Sequence, residues 1–179
     1  RAGNNTVTVG YPAEGLQGNT LQSYYPLDDQ SYPLDDTSGS DDLNASGNPH
    51  LNASGILSTR AVRFDGASGF QASDSPMNGS NTFTINAWVN PSEQATGQGG
   101  LGSDAGDAQT IFALNDSLTL QVADNGSAFA AAKVEGTTYE ASTAAGTIPT
   151  NEWTMITLRY DGSTLFVSKG GIDIGDTLG

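Results

Sequence analysis

The sequence predicts an all-β protein built from antiparallel strands. From residue 61 onward, short runs of strand-forming residues recur at close intervals, and turn residues separate nearly all of them. Helix signals are scarce, and the one helix-compatible run, AFAAAKVEG at 128–136, lies between two strand signals. We therefore expect tertiary packing to make it a strand despite its alanines. Together these observations favour a sandwich or barrel of antiparallel sheets.

The strand signals can be followed in order along the chain. The first is NTVTVGY at 5–11, where Val7, Val9 and Tyr11 alternate with other residues as in a half-buried strand. The later runs are AVRFDG, GFQASDS, TFTINAWVNP, QTIFALN, SLTLQVADNG, AFAAAKVEG, TTYEAST, WTMITLRYDG and STLFVS. Asp-Gly, Asn-Gly or Glu-Gly turn dipeptides punctuate these runs, at 65–66, 78–79, 125–126, 135–136 and 161–162.

Two tandem duplications lie between the first strand signal and the rest. YPLDD occurs at 25–29 and 32–36, and LNASG occurs at 43–47 and 51–55. Such short periods are too few for a solenoid, so we interpret the stretch as a long acidic loop. His50, the single histidine, is expected to be a solvated loop residue there. Three tyrosines in the same stretch are candidates for surface recognition: Tyr24, Tyr25 and Tyr32.

The charge balance excludes several partners. Twenty Asp and Glu residues stand against six Lys and Arg residues, which gives a formal net charge of −14. Nucleic acid and anionic membranes are therefore poor partners. Such an Asp-rich, Lys-poor composition is typical of extreme halophiles, where concentrated salt screens the self-repulsion. The alternative to a halophilic protein is an ordinary acidic extracellular domain. The sequence contains no cysteine, which rules out disulfides.

The composition also points to the outside of the cell. No apolar run is long enough to span a membrane, and the first residue is Arg1, which suggests that a targeting segment was removed or that the chain was trimmed. Asn-x-Ser/Thr sequons occur more often than chance gives, which favours a glycosylated surface protein. The candidate glycosylation sites are Asn4, Asn44, Asn52, Asn78, Asn115 and Asn125.

Four motifs in order resemble the laminin-G-like, concanavalin A-like jelly roll, of the type expected in halophilic archaeal surface proteins. They are YPLDDTSGSDD, VRFDGASGFQAS, FTINAWVNP and WTMITLRYDGSTLFVSKGG. The resemblance implies a two-sheet antiparallel jelly-roll sandwich over residues 21–179, preceded by an N-terminal extension at 1–20 that carries one strand. Members of that family mostly bind carbohydrate or protein at the cell surface, and some are hydrolases.

The sequence lacks the chemistry of those hydrolases. The resemblance implies a Glu-x-Asp-x-Glu strand for catalysis, and none of the five glutamates falls into that spacing. We therefore expect no enzymatic activity and no required cofactor. A calcium ion is the one cofactor left open, because an acidic loop offers carboxylates at Asp35, Asp36, Asp41 and Asp42. A solvated, charge-rich loop is the alternative to calcium. Trp88 and Trp153 are candidates for stacking on sugars, but their apolar neighbours in strands favour a role in the core.

The C-terminal end of the sequence motivates the functional hypothesis. Family members usually continue after the hairpin at 156–168 with a further strand, whereas here only IDIGDTLG follows, so the jelly roll is expected to lack its closing strand. An N-terminal donor strand would fill the gap in a neighbouring subunit, through Thr6, Val7, Thr8, Val9 and Tyr11. The connection after it is also long enough for the strand to fold back onto its own chain. This predicts a homo-polymer, a subunit of an extracellular filament or adhesive assembly. The alternative is a monomeric carbohydrate-binding or adhesion module with a glycan ligand.

Overall fold

The structure is a computed structural model of the chain. It describes residues 6–8, 22–28, 30–35, 41–56, 60–72, 82–94, 108–115, 117–134 and 136–170. Within these ranges the chain forms twelve strands and no α-helix, and nothing in them resembles a membrane-spanning helix. The predicted all-β class is confirmed. The chain divides into two compact units, Arg1–Ser80 with Ile85–Val89, and Asn81–Thr84 with Asn90–Gly179.

The first unit consists of paired strands. Their bounds are β1 Thr6–Thr8, β2 Leu43–Ser46, β3 His50–Ser54, β4 Arg60–Arg63, β5 Gly69–Ala72 and β6 Phe83–Val89, the first two residues of which belong to the second unit. All pairs are antiparallel: β1 with β6, β2 with β5, and β3 with β4. A bulge interrupts the register of β3 and β4 between His50 and Ala53. In the β1 pair, Thr6 lies opposite Trp88.

A compact hydrophobic cluster holds the first unit together. Tyr25, Leu27, Leu34 and Val62 are buried in it. Four partly buried side chains pack against these residues: Leu43, Leu51, Phe64 and Phe70. The cluster takes one leucine from each copy of YPLDD and one from each copy of LNASG. Burying these leucines is worth roughly 1.5–3 kcal/mol for each fully buried side chain.

The expectation that the duplicated stretch is a loop is therefore wrong. Both copies of LNASG are strands, β2 and β3, and His50 is the exposed first residue of β3 rather than a loop residue. The physical reason is the burial of Leu27 and Leu34 together with the pairing of β2 and β3 to strands that come later in the sequence. The β2 pairing joins residues more than twenty positions apart, so the short periods did not reveal it. Strand β3 pairs closer in sequence, with Ser54 opposite Arg60.

The second unit contains a four-stranded antiparallel sheet in the order β10–β9–β8–β7. The strands are β7 Gln109–Leu114, β8 Leu118–Val122, β9 Ala128–Val134 and β10 Thr137–Ser142. The alanine-rich run is thus strand β9, as predicted. Side chains alternate between the faces of the sheet, so Leu118, Leu120 and Val122 share the apolar face of β8, whereas Thr119 and Gln121 share its polar face.

The remaining strands of this unit, β11 Thr154–Tyr160 and β12 Leu165–Lys169, form the antiparallel hairpin that the sequence predicts around Asp161 and Gly162. On one face of the hairpin the side chains are buried, at Ile156, Leu158, Tyr160, Leu165 and Val167. Strand β12 approaches β9 and β10 to within 8 Å between Cα atoms. Sheets usually pack about 10 Å apart, and alanines at alternate positions of β9 permit this closer approach.

Candidate functional site

An aromatic cluster with one exposed ring lies in the first unit. The Tyr32 ring centre is 5.9 Å from that of Phe70, and Phe70 meets Phe64 edge-on with the ring centres 5.6 Å apart. Tyr32 keeps 41% of its surface exposed, although its hydroxyl donates a hydrogen bond to the backbone carbonyl of Pro49. The outer ring therefore contacts Phe70 and is tied to the backbone at its hydroxyl, while the residue keeps two-fifths of its surface exposed.

The duplications explain how Tyr32 comes to be held there. Tyr25, its counterpart in the first YPLDD copy, donates a hydrogen bond from its hydroxyl to the carbonyl of Asp41 at 2.7 Å. Asp41 lies two residues before the first LNASG copy, and Pro49 lies two residues before the second. Each tyrosine therefore binds the equivalent backbone position of its own LNASG copy. The two differ in burial, because Tyr25 is only 5% exposed.

A tight turn positions the two phenylalanines of the cluster. Asp65 follows Phe64, and its Oδ1 accepts hydrogen bonds from the Ala67 N–H at 3.0 Å and the Ser68 hydroxyl at 2.9 Å. These two hydrogen bonds, in that order of size, lower the pKa of the exposed Asp65 carboxyl. Strand β5, with Phe70, begins directly after this turn. The turn therefore fixes where Phe64 and Phe70 stand relative to each other.

The turn of the β11–β12 hairpin is built in the same way. The Asp161 Oδ1 accepts hydrogen bonds from the Thr164 N–H at 2.9 Å, the Ser163 hydroxyl at 2.8 Å and the Ser163 N–H at 3.0 Å. These donors, with a smaller contribution from Arg159, lower the pKa of Asp161 below its ordinary value of 3.8. The ionised carboxylate is therefore the form that holds the turn.

A comparison with known protein families identifies the fold family. Residues 64–169 match a laminin-G family model described as the Concanavalin A-like lectin/glucanases superfamily. The match covers more than half of the chain. The chain belongs to this superfamily. No curated protein and no solved structure matches it. The predicted laminin-G-like jelly roll is confirmed by the family match and by the antiparallel sheets, while residues 171–179, where the closing strand was expected to be missing, lie outside the described residues.

The three tyrosines predicted to lie on the surface of this laminin-G-like chain differ in burial. Tyr32 is exposed, Tyr24 is half-buried, and Tyr25 is buried, so the expectation that Tyr25 serves surface recognition is wrong. Trp88 and Trp153 are both half-buried and do not belong to the fully buried core. Trp88 lies on β6 opposite the face that buries Ile85, Ala87 and Val89, because side chains alternate along a strand.

The acidic residues predicted to bind calcium are partly described. Asp35 is exposed, Asp41 and Asp42 are half-buried, and Asp36 lies outside the described residues. Across the part of the chain that the structure describes, no three His, Cys, Asp or Glu side chains come together in a way that could hold a metal ion. Asp41 contributes its backbone carbonyl to Tyr25.

The donor-strand residues and the sequons are likewise described in part. Thr6, Val7 and Thr8 form β1, which pairs with β6 of the same chain, whereas Val9 and Tyr11 lie outside the described residues. Four sequon asparagines are exposed, namely Asn44, Asn52, Asn115 and Asn125. Asn4 and Asn78 lie outside the described residues. The Asn125 Oδ1 accepts a hydrogen bond from the Ser127 N–H at 2.9 Å, so the first and third residues of this sequon are bonded to each other.

Sequence reasoning did not single out Phe64, Phe70 or Arg159. The phenylalanines flank the predicted Asp65-Gly66 turn, and an aromatic residue on each side of a turn is a signal that could have found them. Arg159 lies opposite Phe166 in the hairpin, and its guanidinium carbon is 4.5 Å from the centre of the Phe166 ring. This contact joins two strands, so a single stretch of sequence does not reveal it.

We expect Asp161→Asn to lower the melting temperature at about pH 6, and to lower it progressively less as the pH falls towards about 2. Asparagine keeps the Oδ1 acceptor but loses the charge. Because the pKa of Asp161 is lower in the folded than in the unfolded chain, its stabilisation is complete above the unfolded pKa and is lost as the pH falls through the folded pKa. Thermal melts of both proteins between these pH values measure the difference, and a difference that does not shrink on acidification would contradict it.

Proposed function

We propose that the protein is a non-catalytic, extracellular carbohydrate-binding or adhesion module that recognises a glycan through Tyr32. The observation that carries the proposal is the exposed Tyr32 ring, 41% accessible and fixed against Phe70. Membership of a superfamily of lectins and glucanases supports a sugar as the ligand. The formal charge of −14 supports a neutral ligand over a polyanion.

The physical basis is stacking on a prearranged ring. The apolar face of a sugar ring packs against an aromatic face, and the sugar hydroxyls at its edge remain free to bind polar groups. Tyr32 loses little conformational freedom on binding, because Pro49 and Phe70 already fix its side chain. Exposed Ser31 and Asp35 lie close by in the sequence and supply hydrogen-bonding groups.

The absence of a paired-glutamate motif supports a non-catalytic role. Most enzymes that hydrolyse a glycosidic bond use two carboxyl groups, from Asp or Glu, on either side of the scissile bond. Glu93, Glu140 and Glu152 are exposed and widely separated in sequence, and Glu14 and Glu135 lie outside the described residues. We therefore propose that the glycan platform, the exposed Tyr32 ring packed on Phe70, binds a glycan without cleaving it.

We expect Tyr32→Ala to weaken binding to whichever polysaccharide the protein retains by about two- to tenfold, because an aromatic contact is worth about 0.5–1.5 kcal/mol. Affinity electrophoresis against β-glucan, mannan, xylan and chitin measures this. Tyr139→Ala is the matched control, because Tyr139 is 38% exposed in the other unit. Equal losses in the two variants, or release of reducing sugar by the wild-type protein, would contradict the proposal.

We also propose that the module joins into a homo-polymer by exchanging β1 between copies. The favouring observation is the short pairing of β1 with β6, which among the described residues consists of Thr6, Val7 and Thr8. Residues 9–21 connect it to the next described segment and reach at most about 43–47 Å when extended. The strand can thus make the same hydrogen bonds on β6 of a neighbour, and transfer in one direction along a row of copies gives an open fibre.

We expect the full chain to form filaments visible by electron microscopy at high concentration and molar salt, and a variant that lacks residues 1–12 to remain monomeric. Removing β1 leaves the β6 edge unpaired, so a synthetic peptide of residues 1–12 should bind the truncated protein, while a scrambled peptide should not. Filaments from the truncated protein would contradict strand exchange. A strictly monomeric full chain would leave only the pairing within one chain.

A further inference from the structure

Arg159 lies on the face of the β11–β12 hairpin opposite Ile156, Leu158 and Tyr160, a face on which Thr157 is buried and Arg159 is partly exposed. Its guanidinium carbon is 4.5 Å from the centre of the Phe166 ring, its partner across the hairpin. Thr157 and Ser168 form the next pair on the same face. The Thr157 hydroxyl donates a hydrogen bond to the Gly170 carbonyl at 2.7 Å, which fixes that end of the hairpin. Ser168 is half-buried beside Phe166.

One donor of Arg159 is left without a partner. Among the residues that the structure describes, its buried Nε–H group has no hydrogen-bond partner, although 35% of the side chain is exposed. The contact that it makes with Asp161, from Nη2 to Oδ2, is 3.5 Å long. Charge-assisted N–H···O bonds are normally about 2.7–2.9 Å long. A buried donor without a partner is costly in a folded protein. Because the Nε–H group is itself buried, a ligand can reach the guanidinium only through its terminal nitrogens, in the 35% of the side chain that is exposed.

Asp161 does not supply that acceptor, because its other oxygen is committed to the turn. The Asp161 Oδ1 already accepts hydrogen bonds from Ser163 and Thr164. Moving the carboxylate towards Arg159 would break these bonds. The planar fork of Arg159 therefore matches a carboxylate brought by a ligand, which can accept two parallel N–H bonds.

We propose that Arg159 and Phe166 form a binding site for the carboxylate of an acidic sugar, a uronic acid within an otherwise neutral glycan. The guanidinium holds the carboxylate, Phe166 backs the guanidinium, and Ser168, two residues along the same face of β12, offers its hydroxyl to the sugar. The choice of a sugar as the carrier rests on the proposed carbohydrate-binding function. The carboxylate specificity rests on Arg159 alone.

The net charge decides how many carboxylates the ligand carries. With a formal charge of −14, the protein repels polyanions over the Debye length, about 10 Å at 0.1 M salt. A single carboxylate in direct contact with Arg159 escapes most of this repulsion, whereas a densely charged polymer does not. An isolated uronic acid on a neutral chain is therefore the favoured ligand, and nucleic acid is excluded on the same ground.

The test is a titration of the full chain with sodium glucuronate, methyl β-glucoside and sodium acetate, followed by the NMR signal of the Arg159 Nε–H group. We expect glucuronate to shift this signal, methyl glucoside to leave it unchanged, and acetate to bind more weakly than glucuronate. Arg159→Gln should weaken glucuronate binding at least about tenfold, because hydrogen bonds to charged groups are the strong ones. Asp161→Asn should strengthen it about two- to fivefold, since it removes a neighbouring negative charge.

Tyr32→Ala separates this site from the proposed glycan platform, because it should leave glucuronate binding unchanged. Arg159→Lys, which keeps the charge but not the planar fork, serves if the glutamine variant does not fold by circular dichroism, and it should also lose affinity. The proposal is overturned if Arg159→Gln binds glucuronate as well as the wild type, if Asp161→Asn binds it more weakly, or if methyl glucoside shifts the Nε–H signal equally. Acetate binding as tight as that of glucuronate would overturn the sugar part alone.

Discussion

Replacing Leu120 with alanine is expected to lower the free energy of unfolding by about 3–5 kcal/mol. Leu120 is fully buried on the apolar face of β8, opposite Phe112 on β7 and Ala130 on β9. With alanine already on one side, little side-chain material is available to fill the cavity. The expected loss is a large part of the roughly 5–15 kcal/mol that stabilises a typical domain. Urea unfolding followed by tryptophan fluorescence measures it.

The matched control is Leu114→Ala. Leu114 lies on β7 opposite Leu118 and is only half-buried, so the same substitution removes less surface from the protein interior. We expect a loss of about 1–2 kcal/mol for it. Equal losses at the two positions would show that Leu120 does not occupy a rigid, closely packed site in the second unit.

The second large effect is expected for Gly47→Ala, with a loss of about 2–5 kcal/mol. Gly47 has a φ of +76°, a conformation that costs any residue with a Cβ. A Cβ atom at this position would also lie 2.8 Å from the carbonyl oxygen of Ala67 and 3.0 Å from the Cα of Ser68. Both are backbone atoms of the turn that positions Phe64 and Phe70, so the turn itself would have to move.

Gly66→Ala distinguishes the two causes of that loss. Gly66 lies in the same turn and has a φ of +84°, but a Cβ atom there would meet no atom within 4 Å. Its expected loss is about 1–2 kcal/mol, from the backbone conformation alone. The difference between the two variants in chemical denaturation reports the steric clash at Gly47. If the two variants were equally stable, the close approach of Gly47 to Ala67 would be refuted.

The strands from β4 to β12 could be predicted from the sequence because their signals are local. Each is a short run of strand-forming residues bounded by turn residues, as in the hairpin around Asp161. Even β9, whose alanines favour helix in isolation, was recognisable from its place between two strand signals. In most of these strands the local propensity agrees with the fold. In β9 the alanines favour helix, and the strands before and after it in the sequence indicate a strand instead.

The strands β2 and β3 could not be predicted in this way. LNAS contains a single large apolar residue, so its alternation is too weak to distinguish a strand from a loop. The pairing that makes it a strand joins Leu43 to Ala72 and Ser46 to Gly69, more than twenty residues further along the chain. Contacts of this range leave no trace in a short window of sequence.

In the candidate site, local sequence also fails to predict which tyrosine is exposed. Tyr25 and Tyr32 begin identical pentapeptides, yet one is 5% and the other 41% exposed. No property of the local sequence distinguishes the buried tyrosine from the exposed one. The difference arises because Tyr25 is enclosed in the cluster with Leu27 and Val62, whereas Tyr32 rests on the outside of Phe70.

The duplications also have a consequence for the way the chain folds. Leu34 bridges Leu43 through two backbone hydrogen bonds of 2.9 Å, and the second LNASG copy could present Leu51 to Leu34 with the same side chains. Strands β4 and β5, which have no duplicates, distinguish the copies, because β4 pairs with β3 and β5 pairs with β2. We expect a refolding chain to sample both alignments and to settle on the native one when β4 and β5 dock.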